Sequence, residues 1–378
     1  MLHRVAAAMV SVVTGTVLLT APVAARVLLD HDPGAPSPVT TKVAAAAPCG
    51  REPVDAAGWQ RLFSAQAGTW AGGDGATSLR LPDGRLLWLF GDTFVGRVGR
   101  GGVRADDTRI VRNSLVVTDG GCFAPLPTTS DALPGRHGTW LWPTHAVVTS
   151  GPQSRTSKIV VFAQRMRRTG TDSWGFARVG TVVVSVSVPW HGAPLVGRVT
   201  DIADGGVAWG ASLIREGATT YIYGTSLVAG EFGRAMMLAR APSATVSDPR
   251  TWSYRTGGGW SSRARSAVPV RSAQDGVSTE PSVSRIAGRY VVVTKAKEFL
   301  DPDVVALVSD RPWGPWTSRR LFSAPSTATD LRYSPALVAS SVAGHLVVVV
   351  CRTSPSLVLL HEHAELRYPT FYDVRLTP

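Results

Sequence analysis

Apolar residues along this chain gather in short runs rather than at helical spacing. Leu86 to Phe90, Lys158 to Phe162, Thr181 to Val188, Tyr290 to Thr294 and Leu346 to Val350 are rich in β-branched and aromatic residues, and turn residues bound most of them. Such runs predict strands. No stretch shows a convincing 3.6-residue period, so no helix of any length is expected. Similar units then recur along the chain. Each opens on a polar or aromatic residue, continues through small residues into an apolar strand, turns, and returns as a second apolar strand. The units run from Asp74 to Asp92, Trp142 to Phe162, Trp209 to Gly224, Glu280 to Val293 and Tyr333 to Val349. Starts at 74, 142, 209, 280 and 333 step by 68, 67, 71 and 53 residues, room for four strands and their loops. Five such units predict an all-β chain folded as a single five-bladed β-propeller, which closes on itself and hides its strand edges. A pair of β-sandwiches is the alternative. Ser247 to Trp252 and Ser309 to Trp316 read as equivalent outer turns of two successive blades.

Composition narrows the class. Of 378 residues 44% are hydrophobic, and 12 Trp, 10 Phe and 7 Tyr are spread along the chain, which excludes disorder for its bulk. The 38 Gly and 26 Pro follow no three-residue period and heptads are missing, which excludes collagen and coiled coil. The formal charge of +12 fits either an acidic polymer partner, such as a charged cell-envelope glycan, or arginines solvated over the whole surface. Nucleic-acid motifs are absent, and the tightest basic group, Arg165, Arg167 and Arg168, is no dense run, so nucleic acid is not expected as a partner.

The N-terminus has the layout of an export signal. A short n-region, Met1 to Arg4, precedes an apolar stretch from Val5 to Leu19, and Ala21 to Ala25 offers small residues for cleavage. Residues 1–25 therefore read as a signal peptide, with a retained single-span anchor as the alternative. Residues 26–48, rich in Ala, Pro, Val and Thr, read as a flexible linker, and 49–378 as the propeller domain. The mature protein is expected to be secreted or envelope-associated, monomeric, and without a membrane span once the signal is cleaved. A Cys49–Cys122 disulfide suits that compartment, and Cys351, after four valines, is expected as a buried thiol.

The start of each innermost propeller strand lines the mouth of a central channel. Asp74, Trp142 with His145, Trp209, Glu280 and Tyr333 stand at those starts. Aromatic faces stack on sugar rings and carboxylates move protons at a glycosidic bond, so the set points to a sugar site. Asp83-Gly84 suits a two-residue type I′ turn. With these two as its centre, position 75 faces 92 and 74 faces 93. Asp74 and Asp92 then emerge at one end of a hairpin as near-diagonal neighbours, ~7–8 Å apart. Glycoside hydrolysis uses carboxyl pairs at ~5–5.5 Å for retention and ~6.5–9.5 Å for inversion. The alternative is that both aspartates only make Asx-type turn bonds beside Gly73, Gly75 and Gly91.

Glu280, extended before Pro281, is a third carboxylate suited to acid work, to tuning a neighbour, to substrate binding, or to pairing with a rim arginine. His145 suits a sugar hydroxyl or a plain structural hydrogen bond. Asn113, Arg112 and Gln164 are further polar candidates for the funnel. No cofactor is expected. Calcium is conceivable at Asp301-Pro302-Asp303, where no complete ligand pattern exists. The motifs G-x-S-x-G, H-E-x-x-H and G-x-x-x-x-G-K-[ST] are absent.

Gly72 to Thr93, with its Asp74-Gly75 and Gly91-Asp92, resembles the signature of a bacterial propeller family long known as a domain of unknown function, part of which is associated with endo-D-arabinanase activity. The similarity continues through Arg112 to Val117, Trp142-Pro143, Trp209 to Ser212, the Gly314-Pro315-Trp316 turn and Tyr368 to Leu376, and covers roughly residues 55–378. The resemblance implies a five-bladed propeller and an endo-acting glycoside hydrolase that cleaves α-D-arabinofuranosyl linkages of cell-wall arabinogalactan and lipoarabinomannan with inversion. It implies that Asp74 and Asp92 are the catalytic acid and base, in an order the sequence leaves open. The chain departs from the pattern at Val350-Cys351-Arg352-Thr353, where polar funnel residues are expected. A different propeller glycosidase, of arabinofuranosidase or fructan type, and a non-catalytic glycan-binding propeller are the other readings. Long loops over the funnel, such as 96–107 or 257–273, would favour chain-end action or simple binding.

Overall fold

The computed structural model describes residues 50–66, 70–126, 129–171, 174–340 and 345–375. The expected signal peptide, the linker and Cys49 lie outside the described residues. Cys122 is disulfide-bonded, and Cys351 is a free, buried thiol.

The described residues open with a helix, α1 (Ala56–Ser64), that the sequence pattern does not foretell. Asp55 caps it, its carboxylate accepting from Gly58 N at 2.6 Å. Ala56, Trp59 and Phe63 form its buried face. Nine residues are too short a span for periodicity to stand out, and packing rather than propensity stabilises such a helix.

Then come β1 (Trp70–Gly73), β2 (Thr77–Arg80), β3 (Leu86–Phe90), β4 (Thr93–Val95), β5 (Arg109–Val111), β6 (Ser114–Asp119) and β7 (Cys122–Leu126). β2, β3, β6 and β7 pair in that order as the first sheet, and β1, β4 and β5 form a separate small one. The second sheet is β8 (Thr139–Val148), β9 (Thr156–Arg168), β10 (Phe176–Pro189) and β11 (Leu195–Ile202). The third is β12 (Ala208–Glu216), β13 (Thr219–Ser226), β14 (Ala235–Pro242), β15 (Ser253–Arg255) and β16 (Trp260–Ser261). The fourth is β17 (Ser282–Ile286), β18 (Arg289–Thr294), β19 (Asp303–Ser309) and β20 (Thr317–Ser323). The fifth is β21 (Leu331–Leu337), β22 (Leu346–Thr353) and, after a short helix α2 (Leu357–Glu362), β23 (Thr370–Val374). The protein is thus all-β, with six antiparallel sheets among the described residues. Every apolar run named from the sequence lies in a strand, and both Trp-containing turns join the third strand of a sheet to its fourth. The fifth sheet departs from the expected four strands, and α1 packs on its outer strand β23, Trp59 stacking on Phe371 at 6.2 Å.

The first strands of the five larger sheets touch in turn. β2 lies against β8, β8 against β12, β12 against β17, β17 against β21, and β21 against β2. Hydroxyls tie neighbouring strands together. Thr144 Oγ1 donates to Gly210 O at 2.7 Å, and Ser212 Oγ accepts from Val283 N at 3.0 Å. Ser282 Oγ accepts from Leu337 N at 3.0 Å, and Ser78 Oγ accepts from Ala339 N at 2.9 Å. These bonds satisfy backbone groups that no strand partner can reach. Bulges kink three of the first strands, at Pro143/His145, Trp209/Ser212 and Tyr333/Ala336, and a bulge re-aims the side chains beside it. At Gly210, with φ +79, a Cβ would lie 2.2 Å from the Phe162 ring, so only glycine fits.

Candidate functional site

The hairpin of the first sheet sets the site. Thr77 pairs with Leu89 and Arg80 with Leu86, one residue away from the register expected of a two-residue turn. Leu81 N donates to Arg85 O at 2.8 Å, so the loop is the three residues Pro82, Asp83 and Gly84, with Gly84 alone at positive φ (+89). That is the three-residue turn with a left-handed glycine. The Asp83 carboxylate binds Arg85 at 2.7 Å instead of shaping a type I′ turn. The corrected register places Asp74 opposite Asp92 rather than diagonal to it. Gly91 N donates to Asp74 O at 2.7 Å and Asp74 N to Asp92 O at 3.4 Å.

The two carboxylates are drawn to opposite sides. Asp74 Oδ2 accepts from Tyr333 OH at 2.6 Å and pairs with Arg367 Nη2 at 2.9 Å, both from the fifth-sheet side. Asp92 Oδ1 accepts from Trp142 Nε1 of the second sheet at 3.0 Å, and Arg112 Nη1 stands 3.5 Å from Oδ2. The Arg112 guanidinium lies 4.8 Å over the Trp140 ring. Burial pushes the Asp74 carboxyl up, Arg367 pulls it back, and Asp92 pushes it up again; the net shift is upward. Burial and then Asp74 hold the Tyr333 phenol well above its usual range.

Below this pair the first strands enclose a cavity of about 10 Å³, room for one water. Gly75, His145, Ala211, Glu280 and Ser334, one from each of the five units, are among its lining residues. Burial pushes the Glu280 carboxyl up to about 8, Asp74 and Glu298 add to the rise, and Arg234 opposes it. His145 donates from Nδ1 to Ala146 O at 3.0 Å, and burial takes its imidazole down to about 4. It is a neutral ring at neutral pH. A carboxyl raised by folding contributes stability that is complete below its usual 4.5 and is lost as pH rises through about 8. Glu280→Gln is therefore expected to melt with the parent below 4.5 and above the parent beyond 8. Melting curves across that range test it, and a constant offset at every pH would show that Glu280 titrates as in water.

Three expected funnel residues belong elsewhere. Trp209 is buried in the core, edge-on to Trp252 at 5.9 Å; the bulge beside it turns the ring away from the mouth. Asn113 is fully buried, donating to Leu133 O and Leu141 O and accepting from Leu133 N, so it ties two segments together and faces no ligand. Gln164 likewise bonds Trp209 O and Arg178. Asp301 accepts from Ala296 N and Asp303 N, and Asp303 pairs with Arg320, which is the bonding of a turn. Among the described residues no group of three His, Cys, Asp or Glu stands close enough to hold a metal ion. The residue that sequence reasoning misses is Arg367. It sits just before the closing Tyr368 to Leu376 segment, and nothing local marks it.

A family model described as a domain of unknown function (DUF5005) matches residues 57–359. No curated protein matches the chain. Among solved structures, a Bacteroides ovatus protein provisionally described as a hydrolase aligns with a TM-score of 0.68 and 19% identity over 84% of this chain and 89% of that one. Glycoside hydrolases also occur among the structural neighbours. The GH43_1 enzyme of Xanthomonas citri complexed with xylose aligns with a TM-score of 0.46 and 13% identity over 85% and 93% of the two chains. A Bacillus subtilis glycoside hydrolase family 43 arabinoxylan arabinofuranohydrolase aligns with a TM-score of 0.47 and 13% identity over 81% and 63%. At 19% identity the Bacteroides likeness is one of fold.

Proposed function

The chain belongs to the family described as a domain of unknown function (DUF5005), and we propose that it is a five-bladed β-propeller glycoside hydrolase of the cell envelope, exported by its N-terminal signal, that cleaves α-D-arabinofuranosyl linkages in arabinan. The propeller reading rests on the cyclic contacts of the five first strands and the hydroxyl bonds between them. One observation carries the catalytic reading: Asp74 and Asp92 face each other at the end of one hairpin, with Asp74 drawn toward the fifth sheet and Asp92 toward the second.

Of the two we assign the acid role to Asp74, whose carboxyl burial raises against the pull of Arg367. It gives its proton to the glycosidic oxygen as the bond from that oxygen to the anomeric carbon breaks. Asp92 takes a proton from a water that attacks the anomeric carbon from the other face. Such an inverting attack requires the water to stand between the two carboxylates. Trp142 and Tyr333 position the two acids, and Glu280 and His145 line the one-water cavity. The glycan-binding alternative draws on one feature, the Arg367 and Tyr333 bonds that occupy Asp74 Oδ2.

Incubation with purified arabinogalactan and lipoarabinomannan tests the proposal. Release of reducing sugar whose new anomeric centre is inverted by NMR is the expected result. Polymer bound but uncut would make the protein a binding module, and cleavage of fructan or xylan instead would make it another glycosidase. Gly91 supplies a sharper check. A Cβ there would sit 2.6 Å from Asp74 Oδ1, and Asp74 is pinned by Tyr333 and Arg367. Gly91→Ala is expected to cost about 10²-fold in turnover by displacing the acid, with a fall in melting temperature no larger than that of Asp74→Asn. Parent-like turnover would show that Asp74 need not hold this position.

A further inference from the structure

The second sheet reaches across the ring. β9 and β10, at 13 and 14 residues, are the longest strands among the described residues. Their far ends pair Arg165 to Arg168 with Phe176 to Gly180 and end in a tip where Thr169 N and Gly170 N both donate to Gly175 O, at 2.8 and 3.1 Å. Trp174, in that tip, packs on buried Phe299 and Leu331, with Leu300 and Tyr333 beside them. Those residues belong to the loop after β18 and to β21, hence to the fourth and fifth sheets. Neither of those sheets neighbours the second in the order of first-strand contacts. Trp174 reaches them by spanning the opening above the strand starts.

This arm touches the residues that hold the two carboxylates. On one side Phe176 stands edge-on to Trp142 at 4.9 Å, and Trp142 holds Asp92. On the other, Trp174 joins the cluster of Tyr333, which holds Asp74. The two loops that the sequence offers as covers are engaged elsewhere. Arg104 N donates to His361 O and the Arg104 side chain to Ala71 O, which fixes loop 96–107 to the C-terminal segment. Val268 N donates to Arg255 O and Val270 N to Met236 O, which lays loop 257–273 along the third sheet.

We propose that the β9–β10 arm closes one end of the glycan site, so that the protein takes the end of an arabinofuranosyl chain and releases short products. The proposal rests on the glycosidase reading and replaces the interior cleavage expected from the resemblance. An interior cut needs a groove open at both ends. Here a chain entering over Asp92 meets the Trp174 and Phe176 rings, which offer apolar faces to a terminal sugar and bar the passage of a next one.

Calorimetric titration tests this without turnover. Asp92→Asn would be titrated with a linear α-D-arabinofuranosyl hexasaccharide, free-ended or carrying bulky groups on both terminal sugars. The expected result is binding at least about tenfold tighter to the free-ended form, with the ratio falling toward one when Trp174→Ala is added. Trp174→Phe, which keeps a ring and guards against a folding defect, should retain the discrimination. Equal binding of the two ligands in Asp92→Asn overturns the proposal. If the parent then cuts arabinan to long oligosaccharides, the glycosidase reading survives alone. Failure to bind either ligand overturns both.

Discussion

Asp74→Asn and Asp92→Asn are each expected to lower kcat on arabinan by about 10²–10⁴-fold, the contribution typical of a positioned acid or base. The two variants differ in a way that separates chemistry from structure. Asp74→Asn also strips Arg367 of its carboxylate partner, 2.9 Å away, so its melting temperature should fall as well. Asp92 engages Arg367 through its backbone carbonyl, at 2.9 Å, a bond that Asp92→Asn keeps. Its melting temperature should therefore stay near the parent's while turnover collapses. The double variant should be little worse than either single one, since the two residues act on one transition state. Because Asp74 is raised, the alkaline limb of kcat/KM should lie above the 3.8 of an ordinary aspartate. Turnover within a few-fold of the parent in a folded Asp92→Asn protein would remove this pair from the mechanism.

Arg367→Ala should be the most destabilising single change at the site. The guanidinium is buried, pairs with Asp74 Oδ2, donates to Asp92 O, and donates to Thr353 Oγ1 at 2.6 Å. Removing one partner of a buried pair leaves an uncompensated charge and costs about 3–5 kcal/mol. The Asp74 carboxyl, with burial and Asp92 both pushing it up and no cation opposing them, should rise further. Denaturant melts of Arg367→Ala, Asp74→Asn and the double variant measure the coupling, and the double should cost less than the sum of the singles. Arg367→Lys should recover part of the stability and little of the activity, since an ammonium cannot reach all three acceptors in the same planar geometry. A loss below about 1 kcal/mol in Arg367→Ala would place the pair among surface-like ion pairs and void this account.

The sequence by itself determined the strands, the five recurring starts and the two aspartates at one end of a hairpin. Each is written in a short span: β-branched runs, small residues beside glycine, a turn around Pro82 to Gly84. Local chemistry fails by one residue at that turn because Asp83-Gly84 alone suits a two-residue loop, whereas Leu81 and Arg85 pair to close a three-residue one. Side-chain direction was decided only in three dimensions. Trp142 and Trp209 hold the same place in their repeats, yet bulges send one to Asp92 and the other into the core. Asn113 looked like a ligand contact and proves to be a tie between segments. Arg367 and Trp174 were invisible because their partners lie in distant sheets. No periodicity records such a meeting; it exists once the first strands come into contact and bring the fifth sheet beside the first, and a long arm from the second sheet across the opening.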